Sequence, residues 1–211
     1  MQPYTVIFMG PQGSGKGTQL EKLEVVLRGR TDARDVVVIQ TGRLFRALAR
    51  AHNTYTGERL RETLDTGMLQ PNFLTTGLWG QVMIERVTPE CHILIDGFPR
   101  TLEQAHVLDG AFHFYARKEI IVVNLTAPDE LVRARMQERA RADDTEAAIA
   151  ERLRLYSAET LPVLDFYRAR AHTNVLDIDG TVSVEEVHTA IVQALGLDGE
   201  AYDSGTHSLP A

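Results

Sequence analysis

Cysteine is almost missing from this chain of 211 residues: Cys91 stands alone, so no internal disulfide can form. A single thiol fits a reducing compartment, and it equally fits a small buried apolar residue, because Cys91 directly precedes an apolar run. Lysine is scarce as well, confined to Lys16, Lys22 and Lys118, so the remaining cations are arginines, whose planar guanidinium suits forked contacts with phosphate. No apolar run approaches the roughly 18 residues that a membrane span requires, and the opening residues lead straight into a strand pattern. The expectation is a cytoplasmic protein with no membrane partner. A basic excess is absent too, since the net charge is −7, which argues against a general nucleic-acid binder.

What is present is an ordinary globular composition. With 44% hydrophobic and 24% charged residues, a chain of this length forms one main domain and buries about 70% of the surface its unfolded form exposes. Near-continuous apolar runs at 5–9, 36–39, 92–95, 120–125 and 175–178 are the mark of strands buried on both faces, and helical periodicity fills the intervals. After the first run, Leu20, Leu23 and Val26 or Leu27 repeat at helical spacing; after the second, Leu44, Leu48 and Ala51 do. Pro128-Asp129-Glu130 opens a further helix with proline and acids in its first turn, and Ser183 with Glu186 forms a capping box. Strand alternating with helix predicts an α/β fold: a five-stranded parallel sheet with helices on both faces and right-handed crossovers. Beyond Gly196 the residues turn small and polar, and 197–211 is expected to be a disordered tail.

The first strand runs into Gly10-Pro11-Gln12-Gly13-Ser14-Gly15-Lys16-Gly17-Thr18. A strand ending in a glycine-rich turn that opens a helix aims backbone N–H groups and the positive end of a helix dipole at one point, where an anion belongs. Lys16 adds a mobile cation for terminal phosphates. The pattern departs from G-x-x-x-x-G-K-[ST] in one respect: Gly17 occupies the hydroxyl position and Thr18 comes one residue late. Asp96 follows the third apolar run and so sits at the carboxyl edge of the sheet, where it either holds a magnesium ion, directly or through water and together with Thr18, or simply shapes a turn. Arg46 and Arg100 follow the second and third runs on that same edge. Alone, each reads as a solvated side chain; together they read as a second phosphate site. Arg135 and Arg139 share a helix face, and Arg141 and Arg152 follow across a short polar link. They form either a cationic clamp or a solvated face balanced by Glu138, Asp143, Asp144 and Glu151.

The late threonine in Gly13-Ser14-Gly15-Lys16-Gly17-Thr18-Gln19, combined with Asp96-Gly97-Phe98-Pro99-Arg100-Thr101, resembles the adenylate kinase family of P-loop kinases, and the likeness runs from Thr5 to about Leu195. The resemblance implies a core domain at 1–39 and 73–196, a small helical domain for the nucleoside monophosphate at 40–72, and a lid reduced to 139–150. It implies reversible transfer of a phosphoryl group from MgATP to AMP, the alternatives being a UMP/CMP or broad-specificity nucleoside monophosphate kinase, or a nucleotide-binding regulator with little catalysis. It also assigns ATP contacts to Gly13, Ser14, Gly15, Lys16, Gly17, Thr18, Arg135, Arg139 and Gly180. AMP contacts fall on Thr41, Arg46, Met68, Leu69, Gln70, Gly97, Phe98, Pro99, Arg100, Gln104, Arg141 and Arg152. Lys16, Arg100, Arg139, Arg141 and Arg152 would carry the catalysis, with Asp96 and Thr18 toward the metal.

Thr41 and Gln104 are the residues that AMP-directed members have, whereas UMP/CMP kinases tend to carry alanine at the first site. Gln104 has a second reading, because Thr101 to Gln104 is itself capping-box spacing. The chain departs from the family pattern in places. Gln12 replaces a common proline, and Gln40 and Arg43 stand where serine and aspartate are usual. Arg43 would weaken an outer contact to the metal or else add attraction for the monophosphate. Only Ala140 separates Arg139 from Arg141, which predicts a hinge-like clamp of helix ends in place of a lid domain, and no cysteine cluster is present for zinc. No general base is needed, since a phosphate monoester oxygen is already ionised near neutral pH; the seven histidines are therefore expected to be surface or packing residues, and the protein a monomer.

Overall fold

The structure is a computed structural model that describes residues 2–32, 34–51, 54–141 and 143–198. Five strands form one parallel sheet: β1 (Thr5–Met9), β2 (Val36–Gln40), β3 (His92–Asp96), β4 (Ile120–Thr126) and β5 (Thr173–Asp179), in the order β2-β3-β1-β4-β5. All five expected strands are present, and four of them, all but β1, run further than their apolar cores. Asp96 is thus the last residue of β3, in register with Phe8 of β1 and Gln40 of β2.

Alternate residues of each strand feed two cores, one on each face of the sheet. Ile7 and Met9 of β1, with Ile93 and Ile95 of β3, pack under α4 (Asn72–Arg86), α5 (Leu102–Phe114) and α8 (Leu161–Arg168). Val6 and Phe8 face the opposite way, onto α1 (Lys16–Arg28) and α9 (Val184–Ala194). Helix α1 buries Leu20, Leu23 and Leu27, which settles the choice between Val26 and Leu27, and Gly29 ends it. Cys91 is buried and free, a packing residue at the start of β3.

Two expectations need correction. The buried face of α2 (Thr41–Ala51) is formed by Thr41, Phe45 and Ala49, with Leu44 and Leu48 only partly covered; the side chain of Ala51 lies outside the described residues. The reason is that α2 starts directly at the strand end, so its inner face is set by where Thr41 meets Gly97 and not by leucine spacing. Leu197 is not part of a loose tail: it is 4% exposed, packed in the α1–α9 core, with its N–H donating to Val192. Positions 199–211 of the expected tail lie outside the described residues.

Between β2 and α4 the chain adds α2 and α3 (Tyr55–Asp65), which close on a small core of Phe45, Ala49 and Leu60. Between β4 and β5 come α6 (Asp129–Arg139) and α7 (Glu146–Leu155), with a core of Val132, Met136, Ile149 and Leu153. Each excursion has its own apolar contacts, and both lie over the carboxyl edge of the sheet.

Candidate active site

A cleft of about 550 Å³ opens where these excursions face each other across the ends of β1 and β3. Its floor is the glycine-rich turn. Gly10 and Gly13 have φ of 130° and 90°, and a Cβ on either would stand 2.3 Å from the Leu125 carbonyl oxygen or 2.6 Å from that of Val132. Glycine is required there by backbone contact as well as by conformation. The Lys16 ammonium donates to the carbonyl oxygens of Gly10 at 2.9 Å and Pro11 at 2.7 Å, so it is tied to the loop it serves. Burial lowers its pKa to about 8; Asp96 opposes that shift, and Arg100 and Arg139 add to it. The Ser14 hydroxyl is buried without a hydrogen-bond partner among the described residues. Gly180 meets the loop from the β5 side, its N–H donating to Thr126 at 2.8 Å.

Asp96 projects over the first turn of α1. A Cβ on Gly17 would lie 3.8 Å from its carboxylate oxygen and 3.7 Å from the Gln40 amide, so the slipped motif keeps this approach open. Asp96 has no hydrogen bond or ion pair to a described side chain, and Thr18 lines the same wall. An unengaged carboxylate beside a hydroxyl suits a hard cation that draws its other oxygens from phosphate and water. Among the described residues no group of three or more His, Cys, Asp or Glu is placed to hold a metal by itself. Arg43, where an aspartate is usual, pairs with Glu21 of α1 on the wall of the same cleft.

The opposite walls are cationic. Seven arginines and Lys16 line the cleft against three carboxylates, Glu21, Asp96 and Asp143, although the whole chain carries −7. Arg46 comes from α2, Arg100 from the β3 exit, and Arg135, Arg139, Arg141 and Arg152 from α6, the link and α7. Burial lowers the pKa of Arg46, Arg100 and Arg141, and neighbouring arginines lower each further: Arg141 acts on Arg46, Arg152 on Arg100 and Arg139 on Arg141. These cations crowd one another, which is stable only where anions offset them.

Some of those anions are protein. Arg152 donates to Asp143 and Asp144 at 2.6 Å each, and Arg139 holds Asp144 through two bonds of 2.7 and 3.0 Å. Burial pushes the Asp144 carboxyl up, but hydrogen bonds and charge from Arg139 and Arg152 outweigh it and leave its pKa below the usual value. The reading of a solvated face holds only in part: Asp143 and Asp144 do pair with Arg139 and Arg152, but Arg152 is buried, Glu151 pairs with Arg154 instead, and the cluster lines the cleft. The link is as short as its sequence implies. Helix α6 ends at Arg139, Ala140 takes a left-handed φ of 46°, and Thr145 caps α7 by accepting from Ala148 N–H.

Most of the expected residues are brought together. Phe98 and Pro99 are not in the cleft; they lie behind it, where Phe98 stacks on Trp79 and both border a separate space of about 30 Å³. Gln104 does two jobs. Its Oε1 accepts from Arg100 N–H at 2.8 Å and its amide donates to Asn72 at 2.8 Å, while its own N–H donates to Thr101 at 3.3 Å. The capping box is thus one-sided, because the glutamine side chain reaches the residue before the cap.

Sequence reading missed four contacts. Gln70 is held by the Thr63 hydroxyl at 2.8 Å, Arg152 also donates to Leu64 O at 3.4 Å, Gly67 packs so closely on α7 that a Cβ would stand 2.5 Å from Ala148 O, and Thr160 donates to Arg100 O at 3.1 Å. Only Gly67 carried a signal, a glycine just past a helix end.

Comparison with known proteins fits this geometry. A family model described as adenylate kinase matches residues 8–172. The chain belongs to the adenylate kinase family. It is 36% identical over 190 residues to an adenylate kinase of Corynebacterium urealyticum, covering 90% of this chain and 98% of that one. An adenylate kinase of Leptospira biflexa is 35% identical over 195 residues with the same coverage, and one of a Cyanothece strain is 37% identical over 176 residues, covering 82% and 86%. In adenylate kinase terms, the matched span holds the glycine-rich turn from Phe8 onward, the Asp96–Thr101 stretch and every arginine of the cleft.

Proposed function

We propose that this chain transfers the γ-phosphoryl group of MgATP to AMP, reversibly, giving two ADP. An oxygen of the AMP phosphate attacks the γ-phosphorus; the new P–O bond forms as the bond from that phosphorus to the β-phosphate oxygen breaks. The observation that carries this reading is the concentration of positive charge on facing walls of one cleft in an acidic protein. One polyanion would need only the loop; two opposed phosphate chains need cations between and around them.

The roles follow from position. The loop from Gly13 to Thr18 with Lys16 holds the ATP phosphates, and Gly180 and Arg135, joined by a 2.8 Å hydrogen bond, border the end of the cleft suited to the ATP base. Thr41, Arg46, Arg100 and Gln104 hold AMP beside the segment from Met68 to Gln70. Arg139, Arg141 and Arg152 neutralise the charge that spreads over the moving phosphoryl group. Adenylate kinases use ATP with Mg²⁺, and Asp96 and Thr18 are the residues suited to hold that ion. When bound, it would offset the negative charge of the ATP phosphates during transfer. On this reading 40–72 is the monophosphate-binding domain and 139–150 a minimal lid on a core of 1–39 and 73–196, acting as a monomer in the cytoplasm. Among the described residues no helix is long and apolar enough to cross a membrane.

Initial rates with MgATP and each of AMP, CMP, UMP, GMP and dAMP test the acceptor; AMP is expected to be fastest. Arg100→Ala should cut the AMP rate by about 10³-fold or more, on the order of 4 kcal/mol, with folding retained. A variant within tenfold of the unmodified protein would remove Arg100 from the mechanism.

A further inference from the structure

Helices α7 and α8 are continuous except for a single π-helical turn, Tyr156–Thr160, in which Leu161 N–H bonds to Tyr156 O, five residues back. The cause is local. Pro162, in the first turn of α8, lacks an N–H and its ring crowds the carbonyl four residues earlier, so the preceding turn widens. One extra residue in a helix rotates everything after it by about 100°. A threonine in a helix commonly bonds back to its own backbone four residues earlier. Thr160 instead is buried and sends its hydroxyl out of the helix to the Arg100 carbonyl oxygen at 3.1 Å.

Arg100 is otherwise held from its own segment. Its N–H goes to Gln104 and its Nε donates to Gly97 O at 2.9 Å. Thr160 is therefore the contact that reaches Arg100 from the helical arm, and that arm also carries Arg152. A space of about 30 Å³ bordered by Gly97, Arg100, Arg152, Tyr156 and Thr160 lies beside this contact and leaves room for the loop to shift if the contact is lost.

We propose that Thr160 is a positioning residue: by fixing the Arg100 carbonyl it sets the direction of the Arg100 guanidinium and ties it to the arm that bears Arg152. The proposal rests on the reading of the cleft as a kinase site with Arg100 on the acceptor phosphate.

The test compares Thr160→Val, of the same shape without the hydroxyl, with Thr160→Ser, which keeps it. Thr160→Val should lower kcat/KM for AMP about tenfold while the KM for ATP changes less than twofold, and Thr160→Ser should return kcat/KM for AMP to within twofold of the unmodified protein. The Arg100 Nε–H resonance should move in Thr160→Val and hold its place in Thr160→Ser. Unchanged AMP kinetics in the valine variant, equal losses for both nucleotides, or failure of serine to rescue would each overturn the proposal. If the unmodified protein does not phosphorylate AMP, the kinase reading fails, and the Arg100 resonance still decides whether Thr160 positions that side chain.

Discussion

The glycine-rich turn and the arginine clamp face each other across the same cleft, yet they are built in opposite ways. The turn is fixed by backbone: left-handed glycines pressed on the carbonyls of β4 and α6, with Lys16 tied to two loop carbonyls. The clamp is fixed by side chains, with Arg139 and Arg152 sharing Asp144 and Arg152 also holding Asp143. A backbone site is shaped before its ligand arrives. A side-chain site built on ion pairs has partners to exchange when phosphates enter. On the function proposed above, the turn is thus suited to hold the phosphoryl donor and the arginine cluster to close.

The sharpest way to break the backbone half is Gly13→Ala. Its Cβ would overlap the Val132 carbonyl at 2.6 Å in a left-handed conformation, so we expect a stability loss of roughly 3 kcal/mol and loss of ATP binding, read by urea unfolding and calorimetry. Gly15→Ala sharpens the comparison: φ is also positive, at 97°, but an added Cβ would meet no atom within 4 Å beyond its chain neighbours, so the cost should be nearer about 1 kcal/mol.

On the clamp side, Asp144→Asn removes the charge shared by Arg139 and Arg152 while keeping the shape. A roughly tenfold fall in kcat with an unfolding free energy lower by about 2 kcal/mol is expected from stopped-flow and denaturation. Because the arginines depress the Asp144 pKa below 3.8, its stabilising effect is present above that pH and is lost only as pH falls through the lowered value. The clamp should therefore survive mild acid.

Lys16 supplies the pH signature of the turn. With a pKa of about 8 in the free protein, it is half-charged at that pH, and phosphate oxygens favour the charged form. ATP binding should then take up a fraction of a proton near pH 8 and almost none at pH 6, measurable by calorimetry in buffers of different ionisation enthalpy. Zero uptake at both would mean the ammonium keeps its ordinary pKa.

The effect that is smallest at neutral pH lies away from both halves. His92 is buried in β3, accepts from Tyr4 N–H at 2.9 Å, and has its pKa lowered from 6.5 to about 4, chiefly by burial. The unfolded chain takes the proton first, so stability is full above pH 6.5 and falls as pH drops toward 4, by at most about 1.4 kcal/mol per unit. His92→Gln should flatten that slope in urea midpoints without touching activity at pH 7.

The two halves also differ in how far the sequence revealed them. The strands were legible because both faces of a parallel sheet are apolar, and the turn because φ above zero calls for glycine, which is visible as a letter. The clamp was legible as arginine spacing, but not its state: nothing in the spacing says whether Asp143 and Asp144 balance those arginines at the surface or inside the cleft. The α2 face was misjudged because Thr41 and Gly97 set it through a tertiary contact. Thr160 was invisible because its role depends on a π turn, which follows from Pro162 only once α7 and α8 are known to be continuous.

The most direct test of a site built for two phosphate-bearing substrates is to supply ADP alone with Mg²⁺ and follow the phosphorus resonances. ATP and AMP should appear in equal amounts until the reaction reaches equilibrium, with no inorganic phosphate. Unchanged ADP, or conversion to AMP and phosphate, would contradict it.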